Sequence, residues 1–371
     1  MPTFDPSRFI NTNPINQVED VYVPKHAFGD FNINKKLLGT IAANGLNTPT
    51  PIQDQIIPEI LNGRDVIGLA ETGTGKTAAF LIPLIEKTLK DHSRQTLILA
   101  PTRELAIQID RELKSLSTGF KISSALCVGG VNIGPQIKSL RNRGNCFIIG
   151  TPGRTLDLVN RKHIHLQYIT TVVLDEADRM LDMGFIQDMR KILSKTPHER
   201  ETLLFSATMS KETNLLVNEF LKNPVPVSVK KGDVANSIEQ DVVEFTDNTK
   251  FETLLTLLLN EDLKRVLVFG SMKHSVQKLA KQLSEKGIKA DSIHGNKSHN
   301  ARQKALLKFK NGSARVLVAT DVAARGIHVD NVTHVINYDL ANSFESYIHR
   351  IGRTGRGANR GKALTFIPKR K

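Results

Sequence analysis

Short apolar runs rich in β-branched residues alternate with amphipathic helical patterns along most of this chain. Such runs are typical of parallel strands buried on both faces, with helices making the crossover connections. In the first half of the chain the runs are VIGLA (66–70), TLILA (96–100), ALCV (125–128), CFIIG (146–150), TVVLD (171–175) and TLLFS (202–206). The pattern predicts a mostly parallel α/β sheet with helices on both faces.

The same pattern starts again after a proline-containing and charged stretch that begins at Asn223. The second set of runs is VLVFG (266–270), DSIHG (291–295), RVLVATD (315–321), THVINYD (333–339) and KALTFI (362–367). A chain of 371 residues accommodates two domains of ordinary size. We therefore predict a flexible extension over 1–27, a first domain over 28–226, a linker over 227–237 and a second domain over 238–371. Ligands of open parallel sheets bind beyond the carboxyl ends of the strands, so we expect the ligand site in a cleft between the two domains.

The segment AETGTGKT, residues 70–77, directly follows the first predicted strand. Gly73 and Gly75 permit a loop whose backbone N–H groups surround phosphate oxygens. Lys76 adds a positive charge for the β- and γ-phosphates, and Thr77 adds a hydroxyl for Mg²⁺. Ala70 stands where the strict phosphate-loop pattern has its first glycine, so this segment alone is a weak indication of a nucleotide site.

A second segment, VVLDEAD (172–178), supplies the other half of such a site. Its apolar run predicts a buried strand that brings Asp175 and Glu176 to the carboxyl end of the sheet. There Asp175 can hold Mg²⁺ through water, and Glu176 can orient or deprotonate the attacking water. The two segments together predict a site that hydrolyses a nucleoside triphosphate.

Three further segments follow successive strands of the first domain, namely PTRELA (101–106), GG (129–130) and TPGR (151–154). Their glycines, threonines and prolines are expected to leave N–H groups and hydroxyls exposed, and Arg103 and Arg154 add charge. This combination suits the phosphates of a single nucleic-acid strand, not base edges. Ordinary turn chemistry explains any one segment equally well, but three in register favour a nucleic-acid site.

The segment SAT, residues 206–208, follows the next strand and places Ser206 and Thr208 near Asp178. We interpret it as a hydrogen-bonded link between hydrolysis and domain contact, with a simple small-residue turn as the alternative. In the second domain HRIGRTGR (349–356) spaces Arg350, Arg353 and Arg356 three residues apart, as on the first turn of a helix. Arg353 and Arg356 are candidates to reach the γ-phosphate, with a solvated basic helix start as the alternative.

The charge is unevenly distributed. The net charge is +14, and residues 238–371 contribute +10 of it, with 23 Lys and Arg against 13 Asp and Glu. A basic half favours a polyanionic partner, although ordinary solubility charge explains it almost as well. Aromatic residues make up 5% with no Trp, which disfavours base stacking as the main binding mode.

Several other features indicate a cytoplasmic protein. No apolar run reaches the length of a membrane span, and the first residues lack the pattern of a secretory signal. Cys127 and Cys146 lie in apolar contexts without metal-ligand spacing, as is typical of reduced, buried thiols.

With these motifs in this order, the sequence resembles the DEAD-box RNA helicases, and among them the bacterial RhlE-type subgroup, over residues 28–367. The resemblance implies two tandem RecA-like domains, ATP with Mg²⁺, and RNA-stimulated ATP hydrolysis coupled to local duplex unwinding or remodelling of RNA–protein complexes. It also implies that Phe28 stacks on adenine and that Gln53, in GLNTPTPIQ (45–53), hydrogen-bonds the edge of the base. A glutamine amide suits adenine because it donates and accepts side by side.

The resemblance also assigns residues to ATP and to RNA. The residues implied for ATP binding or hydrolysis are Ala70, Glu71, Thr72, Gly73, Thr74, Gly75, Lys76, Thr77, Asp175, Glu176, Arg353 and Arg356. The residues implied for the RNA backbone are Pro101, Thr102, Arg103, Gly129, Gly130, Thr151, Arg154, Arg302, Thr320 and Asp321. Phe269-Gly270-Ser271 and Arg325-Gly326 match positions that contact RNA or couple the domains.

The sequence departs from the family pattern at three points. His328 stands where an Asp usually contacts the ATP ribose, and His299 replaces a Gln that helps to fix RNA. The chain stops at Lys371, where the family has at least one further helix, so the completeness of the second domain is left open.

Two other functions remain as alternatives. A non-enzymatic RNA-binding protein on a helicase scaffold is disfavoured because the phosphate-loop lysine, the acidic pair and the arginines are all present. A DNA-directed helicase stays open, because no residue is identified that reads the 2′-hydroxyl of RNA. We expect a monomer that binds single-stranded and duplex RNA with little sequence preference and has no membrane partner.

Overall fold

The computed structural model of the protein describes residues 22–70, 73–141, 144–229, 238–246, 248–260, 262–324, 332–355 and 361–369. The described residues fall into two compact units, 22–229 and 238–369. Each unit is built around one sheet of parallel strands with helices on both faces, so the predicted fold class of two RecA-like domains is confirmed.

The first unit contains a seven-stranded parallel sheet in the order β3-β4-β2-β5-β6-β1-β7. Its strands are β1 Val66–Leu69, β2 Gln95–Leu99, β3 Ser123–Cys127, β4 Asn145–Gly150, β5 Ile169–Leu174, β6 Glu201–Ser206 and β7 Val225–Ser228. Its helices are α1 Lys35–Ala43, α2 Pro51–Leu61, α3 Lys76–Lys90, α4 Arg103–Leu116, α5 Ile133–Leu140, α6 Pro152–Asn160, α7 Ala177–Asp182, α8 Ile186–Leu193 and α9 Lys211–Phe220. Two short 3₁₀ helices cover Phe28–Phe31 and Leu166–Tyr168.

Alternating residues of the central strands supply two hydrophobic cores, one on each face of this sheet. Ile98 and Val173 belong to the core that includes α1 to α4, whereas Leu97 and Val172 belong to the core that includes α6 to α9. Burial on both faces explains why these strands have apolar runs without polar alternation. Gly68 in β1 is needed for close packing, because an added Cβ would lie 2.6 Å from the ring of Phe205.

The second unit contains a six-stranded parallel sheet in the order β10-β11-β9-β12-β13-β8. Its strands are β8 Glu239–Phe245, β9 Val266–Phe269, β10 Ala290–Ile293, β11 Val316–Ala319, β12 His334–Asn337 and β13 Lys362–Pro368. Its helices are α10 Lys250–Leu259, α11 Lys273–Glu285, α12 His299–Lys310, α13 Asp321–Ala324 and α14 Phe344–Ile351. Val266 and Val268 pack into one core with α10 and α11, and Leu267 and Phe269 pack into the other with α12.

The structure corrects three expectations about organisation. Residues 22–27 were expected in a flexible extension, but Tyr22, Lys25 and His26 bond to α2, whereas residues 1–21 lie outside the described part of the chain. The boundary expected after residue 226 falls inside β7, which pairs with β1. The strand β8 was not predicted, because its edge position leaves it polar and largely exposed.

Within the described ranges, no helix is both long and apolar enough to span a membrane.

Candidate functional site

The phosphate loop joins β1 to α3 and requires glycine at two positions. Gly73 and Gly75 have φ values of 86° and 91°, in the left-handed region that favours glycine. An added Cβ at Gly75 would also lie 2.5 Å from Nε2 of Gln53. Gly75 therefore permits both the turn and the close approach of α2. Glu71 and Thr72, which were predicted in this loop, lie outside the described residues.

Two side chains at the start of α2 hold the loop in place. The hydroxyl of Thr50 donates to the carbonyl of Thr74 at 2.8 Å, and Nε2 of Gln53 donates to the carbonyl of Gly75 at 3.1 Å. Oε1 of Gln53 accepts from the backbone N–H of Thr50 at 2.9 Å. The sequence analysis missed Thr50, although its spacing from Gln53 matches the capping box, S/T-x-x-E/Q. The Gln53 amide therefore holds the phosphate loop through the carbonyl of Gly75.

Lys76 begins α3 and is buried inside the loop that it serves. Its Nζ donates to the carbonyl of Ala70 at 2.7 Å, at the end of β1. Thr77 follows on the first turn of α3 and is half-buried. The N-terminus of a 15-residue helix and a lysine thus converge on one loop, as suits a phosphate group.

Asp175 follows β5 directly, and its side chain is only 3% exposed. Its backbone N–H donates to the carbonyl of Leu99, which fixes the residue at the carboxyl edge of the sheet. Burial raises the pKa of the Asp175 carboxyl to about 6; the charge of Lys76 opposes this rise and the charge of Glu176 adds to it. Since β1 and β5 both pair with β6 in one parallel sheet, the two predicted motifs lie at the same carboxyl edge.

The residues at this place fit a magnesium ion. Asp175 is a buried carboxylate whose pKa is raised by burial and by the charge of Glu176, and Mg²⁺ prefers oxygen ligands such as carboxylate and hydroxyl. Asp175 and the hydroxyl of Thr77 would hold the ion, as the sequence predicts.

Glu176 occupies the N-cap position of α7 with φ 51° and ψ 54°, the left-handed conformation that non-glycine residues seldom adopt. Such backbone strain is concentrated at functional sites. Nη1 of Arg179 donates to Oε2 of Glu176, and both side chains are buried. The sequence analysis missed Arg179, although a spacing of three residues at a helix start brings side chains together.

Asp178 links the same acidic segment to the end of β6, as predicted. Its Oδ2 accepts from the backbone N–H groups of Ala207 and Thr208, at 3.0 and 2.9 Å, and from the Thr208 hydroxyl at 3.1 Å. Its own N–H donates to the hydroxyl of Ser206 at 3.3 Å. Four hydrogen bonds therefore connect residues 206–208 to the segment that carries Glu176.

Phe28 lies in the 3₁₀ helix before α1, and its side chain is 6% exposed. The ring packs edge-on against Phe31, with 6.1 Å between the ring centroids, and contributes to the core around α1 to α4. Its predicted stacking on adenine remains a prediction, and it requires this ring to become more accessible than it is in the structure described here.

The fold brings the three predicted RNA segments to one edge of the first sheet. They follow β2, β3 and β4, which are neighbours in the order β3-β4-β2. The guanidinium of Arg103 lies against Gly130, where an added Cβ would collide with it. Both Nη atoms of Arg154 donate to the carbonyl of Val131 at 3.3 Å. The two arginines and the Gly129-Gly130 turn thus form one cationic surface, which we call the Arg103–Arg154 surface.

One expectation about this surface is wrong. The hydroxyls of Thr102 and Thr151 were expected to be exposed, but both side chains are buried, as is Pro101. Oγ1 of Thr102 accepts from the N–H of Leu105 at 3.3 Å and caps α4, and Thr151 is the N-cap residue of α6. The Thr102 hydroxyl satisfies an N–H group at the start of α4, whereas the Thr151 side chain makes no capping hydrogen bond.

In the second unit Arg350 is part of a buried hydrogen-bonded ion pair. Its Nε and Nη2 donate to the two carboxylate oxygens of Asp321, at 2.6 and 2.7 Å, and its Nη1 donates to the carbonyl of Asp339. The guanidinium also lies over the ring of Phe269. Arg350 is fully buried and organises the strand ends, and the Asp321 carboxylate is engaged in the same pair.

The arginine motif lies at the end of a helix, not on its first turn as predicted. α14 ends at Ile351, so Arg353 follows the helix, and its Nε donates to the carbonyl of His349 at 3.2 Å. Helix ends bind cations well because their last carbonyls are unsatisfied. Arg356 lies outside the described residues.

Other predicted residues of this unit are spread over several elements. Arg302 is on the first turn of α12, Thr320 is buried directly after β11, and Ser271 donates twice to Asp339. Arg325, Gly326 and His328 lie outside the described residues, as does the side chain of His299.

Comparison with known protein families gives two matches. Residues 50–216 match the model described as DEAD/DEAH box helicase, and residues 249–358 match the helicase conserved C-terminal domain. The first match includes the phosphate loop and the Asp175 segment, and the second includes Arg350 and Arg353.

Individual proteins give the same result. The chain is 47% identical over 345 residues to the DEAD-box ATP-dependent RNA helicase CshA of Bacillus subtilis. The alignment covers 92% of this chain and 70% of the relative. The chain is also 44% identical to the ATP-dependent RNA helicase CshA of Limosilactobacillus reuteri. That alignment covers 92% of this chain and 69% of the relative. Among solved structures, S. cerevisiae Dbp5 bound to RNA and ADP BeF3 is 30% identical, with a TM-score of 0.82 over 93% of this chain and 90% of that one.

Proposed function

The chain belongs to the DEAD-box family of ATP-dependent RNA helicases, and we propose that the carboxyl edge of its first sheet binds ATP with Mg²⁺ and hydrolyses it in response to RNA. The single observation that carries this proposal is the meeting of Lys76, Asp175 and Glu176 at that edge. Burial and the neighbouring Glu176 leave Asp175 short of positive charge even with Lys76 present.

Each residue of this site has a separate role in ATP binding or hydrolysis. Lys76 and the N–H groups of the glycine loop hold the phosphates, and Gln53 fixes that loop and meets the adenine together with Phe28. Bound at Asp175 and Thr77, Mg²⁺ would neutralise charge that develops on the phosphate oxygens. Glu176 orients the attacking water and accepts its proton.

The Arg103–Arg154 surface supports binding of the RNA sugar-phosphate backbone, and we propose Arg302 and Thr320 as contacts from the second unit. Arginines and loop amides contact phosphates and carry no sequence information. We therefore expect affinity that falls steeply with salt and depends little on base sequence. Strong preference for one sequence among unstructured RNAs of equal length would contradict this assignment.

We also propose that Arg353 and Arg356 act on the γ-phosphate, as the family resemblance implies. The RhlE-type subgroup remains a prediction, which the CshA names of the bacterial relatives do not support. A cytoplasmic location and a monomeric state are likewise predictions.

A steady-state ATPase assay tests the proposal directly. Wild-type protein is assayed with Mg²⁺ alone, with single-stranded RNA, and with DNA of the same sequence and length. We expect strong stimulation by RNA, little by DNA, and strongly reduced activity in a Lys76→Ala variant at ATP concentrations below saturation. Activity that is the same with and without RNA would contradict RNA coupling, and undiminished activity of Lys76→Ala would contradict the nucleotide site.

A further inference from the structure

The side chain of Asp54 accepts four hydrogen bonds from the segment that precedes the 3₁₀ helix Phe28–Phe31. This residue lies on α2 directly after Gln53, and its side chain is 2% exposed. Oδ2 accepts from the Tyr22 hydroxyl at 2.5 Å and from the Lys25 N–H at 2.8 Å. Oδ1 accepts from the His26 N–H at 3.2 Å and from His26 Nδ1 at 2.7 Å. We call this group of residues the Asp54 anchor.

The Asp54 anchor requires an ionised carboxylate. Burial by itself raises the pKa of Asp54, but hydrogen bonds from Tyr22, Lys25 and His26 outweigh burial and lower the pKa below its usual value. An ionised carboxylate is an acceptor only, so His26 Nδ1 carries the proton of that bond. Charge-assisted bonds of this kind are the stronger class of hydrogen bond.

The anchor joins the two parts of the predicted adenine site. Its donors lie two to six residues before Phe28, and the His26 ring packs on Phe31 with 5.5 Å between centroids. On the other side, Asp54 adjoins Gln53, whose amide holds the phosphate loop at Gly75. The carboxylate therefore ties the segment that carries Phe28 to the helix that carries Gln53.

We propose that Asp54 is a positioning residue that fixes Phe28 relative to Gln53 and thereby sets the affinity and the preference of the enzyme for adenine nucleotides. This inference rests on the adenine role proposed above for Phe28 and Gln53. Without the anchor, residues 22–31 have to become ordered when the nucleotide binds, and that ordering weakens binding. The reacting γ-phosphate lies at the other end of the nucleotide, so turnover at saturating ATP is unaffected.

Asp54→Asn tests the anchor with little change of shape. Whichever way the amide is turned, its NH₂ group faces a backbone N–H, that of Lys25 or that of His26, so at least one hydrogen bond is lost, and the others lose their charge assistance. We expect KM for ATP to rise about tenfold, the discrimination between ATP and GTP to fall by a similar factor, and kcat with saturating RNA to stay within about twofold. Tyr22→Phe removes one donor only and should raise KM by about threefold.

Two control variants separate positioning from general stability. Glu59→Gln removes a carboxylate on the same helix that pairs with the exposed Arg64. Asp65→Asn alters a buried carboxylate that accepts from the N–H groups of Thr202 and Lys222, at the amino end of β1. Neither control should change the ratio of ATP to GTP use. If Asp54→Asn fails to fold, Tyr22→Phe and His26→Ala, which keep the carboxylate, decide the question.

Phe28→Ala and Gln53→Ala complete the experiment. A rise in KM for ATP in these two variants, with unchanged KM and nucleotide preference in Asp54→Asn and Tyr22→Phe, would overturn the anchor and leave the adenine site standing. Unchanged preference for ATP in Phe28→Ala and Gln53→Ala would overturn the adenine role itself, and the anchor with it. A loss of ATP affinity and of preference for ATP over GTP in all four variants would support both the Asp54 anchor and the adenine role of Phe28 and Gln53.

Discussion

Two aspartates at the strand ends of the two units experience opposite electrostatic environments. Asp175 follows β5 and Asp339 follows β12, and the N–H of each donates to a carbonyl at the end of a neighbouring strand. Burial is the largest influence on both and raises the pKa of each carboxyl. For Asp175 the pKa remains high, at about 6, whereas bonds from Lys250 and Ser271 bring the pKa of Asp339 below its usual value.

The opposite pKa shifts distinguish a candidate ligand site, at Asp175, from a structural site, at Asp339. Asp339 receives Nζ of Lys250 at 2.7 Å and both donors of Ser271 within the unit. Asp321 and Arg350 neutralise each other in the same way. The carboxylate of Asp175 accepts a hydrogen bond from the N–H of Glu176 at 3.0 Å, and the charges of Glu176 and Asp178 oppose that of Lys76, so a cation from solution would be favourable there. Natural sites of function commonly leave such groups uncompensated.

The largest expected effect comes from Glu176→Gln, which keeps the size of the side chain and removes the basic carboxylate. Hydrolysis should slow by on the order of 10²–10⁴-fold, the usual worth of a positioned general base, with ATP binding nearly intact. Single-turnover hydrolysis and a nucleotide titration measure the two separately. A rate within threefold of wild type would assign the proton acceptor to another group.

Lys76→Ala should weaken ATP binding by about 10- to 100-fold, because a charge-assisted contact to phosphate is lost in the ground state as well as in the transition state. Titration with a fluorescent ATP analogue measures this. Lys87→Ala is a matched control on the same helix, since Lys87 pairs with Glu201 at the opposite end of α3. Equal affinity in wild type and Lys76→Ala would disprove the phosphate-loop assignment.

Asp175→Asn should stabilise the nucleotide-free protein while abolishing its function. The folded-state pKa is raised, so the folded protein binds the proton more tightly than the unfolded chain, and stability falls as the pH rises from about 4 through 6. The neutral amide removes this loss, which stabilises the folded protein by about 3 kcal/mol at pH 7.5. Chemical denaturation with a chelator present, at pH 5 and pH 7.5, measures it. A variant less stable than wild type at pH 7.5 would contradict the shortage of positive charge.

Asp339→Asn should have the opposite and smaller effect. The folded-state pKa is lowered, so the carboxylate stabilises the protein above its unfolded pKa, and that contribution disappears as the pH falls through the folded value. We expect a loss of about 1–2 kcal/mol at pH 7.5, since bonds to Lys250 and Ser271 weaken. The difference from wild type should shrink below about pH 4 in the same denaturation series. A stabilised variant would remove the contrast with Asp175.

Local chemistry explains which features the sequence could predict. The fully buried strands were found because burial on both faces produces uninterrupted apolar runs, as in β5. The glycine loop and Asp175 were placed correctly because a strand end and a helix start follow one another in sequence. The link between Asp178 and the segment 206–208 followed from two neighbouring strand ends.

The missed features depend on partners that are distant in sequence or on position in the sheet. The Asp54 anchor joins residues about 30 positions apart, and Arg350 meets Asp321 across 29 positions, so neither pair leaves a local pattern. The edge strand β8 lacks the apolar run of a central strand. The burial of Thr102 was missed because the sequence does not show that its hydroxyl caps α4, and the burial of Thr151 depends on packing that leaves no local pattern.

The magnesium dependence of nucleotide affinity tests the central claim most directly. ADP affinity is measured by calorimetry with Mg²⁺ and with chelator, for wild type, Asp175→Asn and Asp339→Asn. We predict that Mg²⁺ strengthens binding by about tenfold or more in wild type and in Asp339→Asn, and has almost no effect in Asp175→Asn. An equal effect of Mg²⁺ in wild type and Asp175→Asn would contradict the account, because the cation would then be held elsewhere.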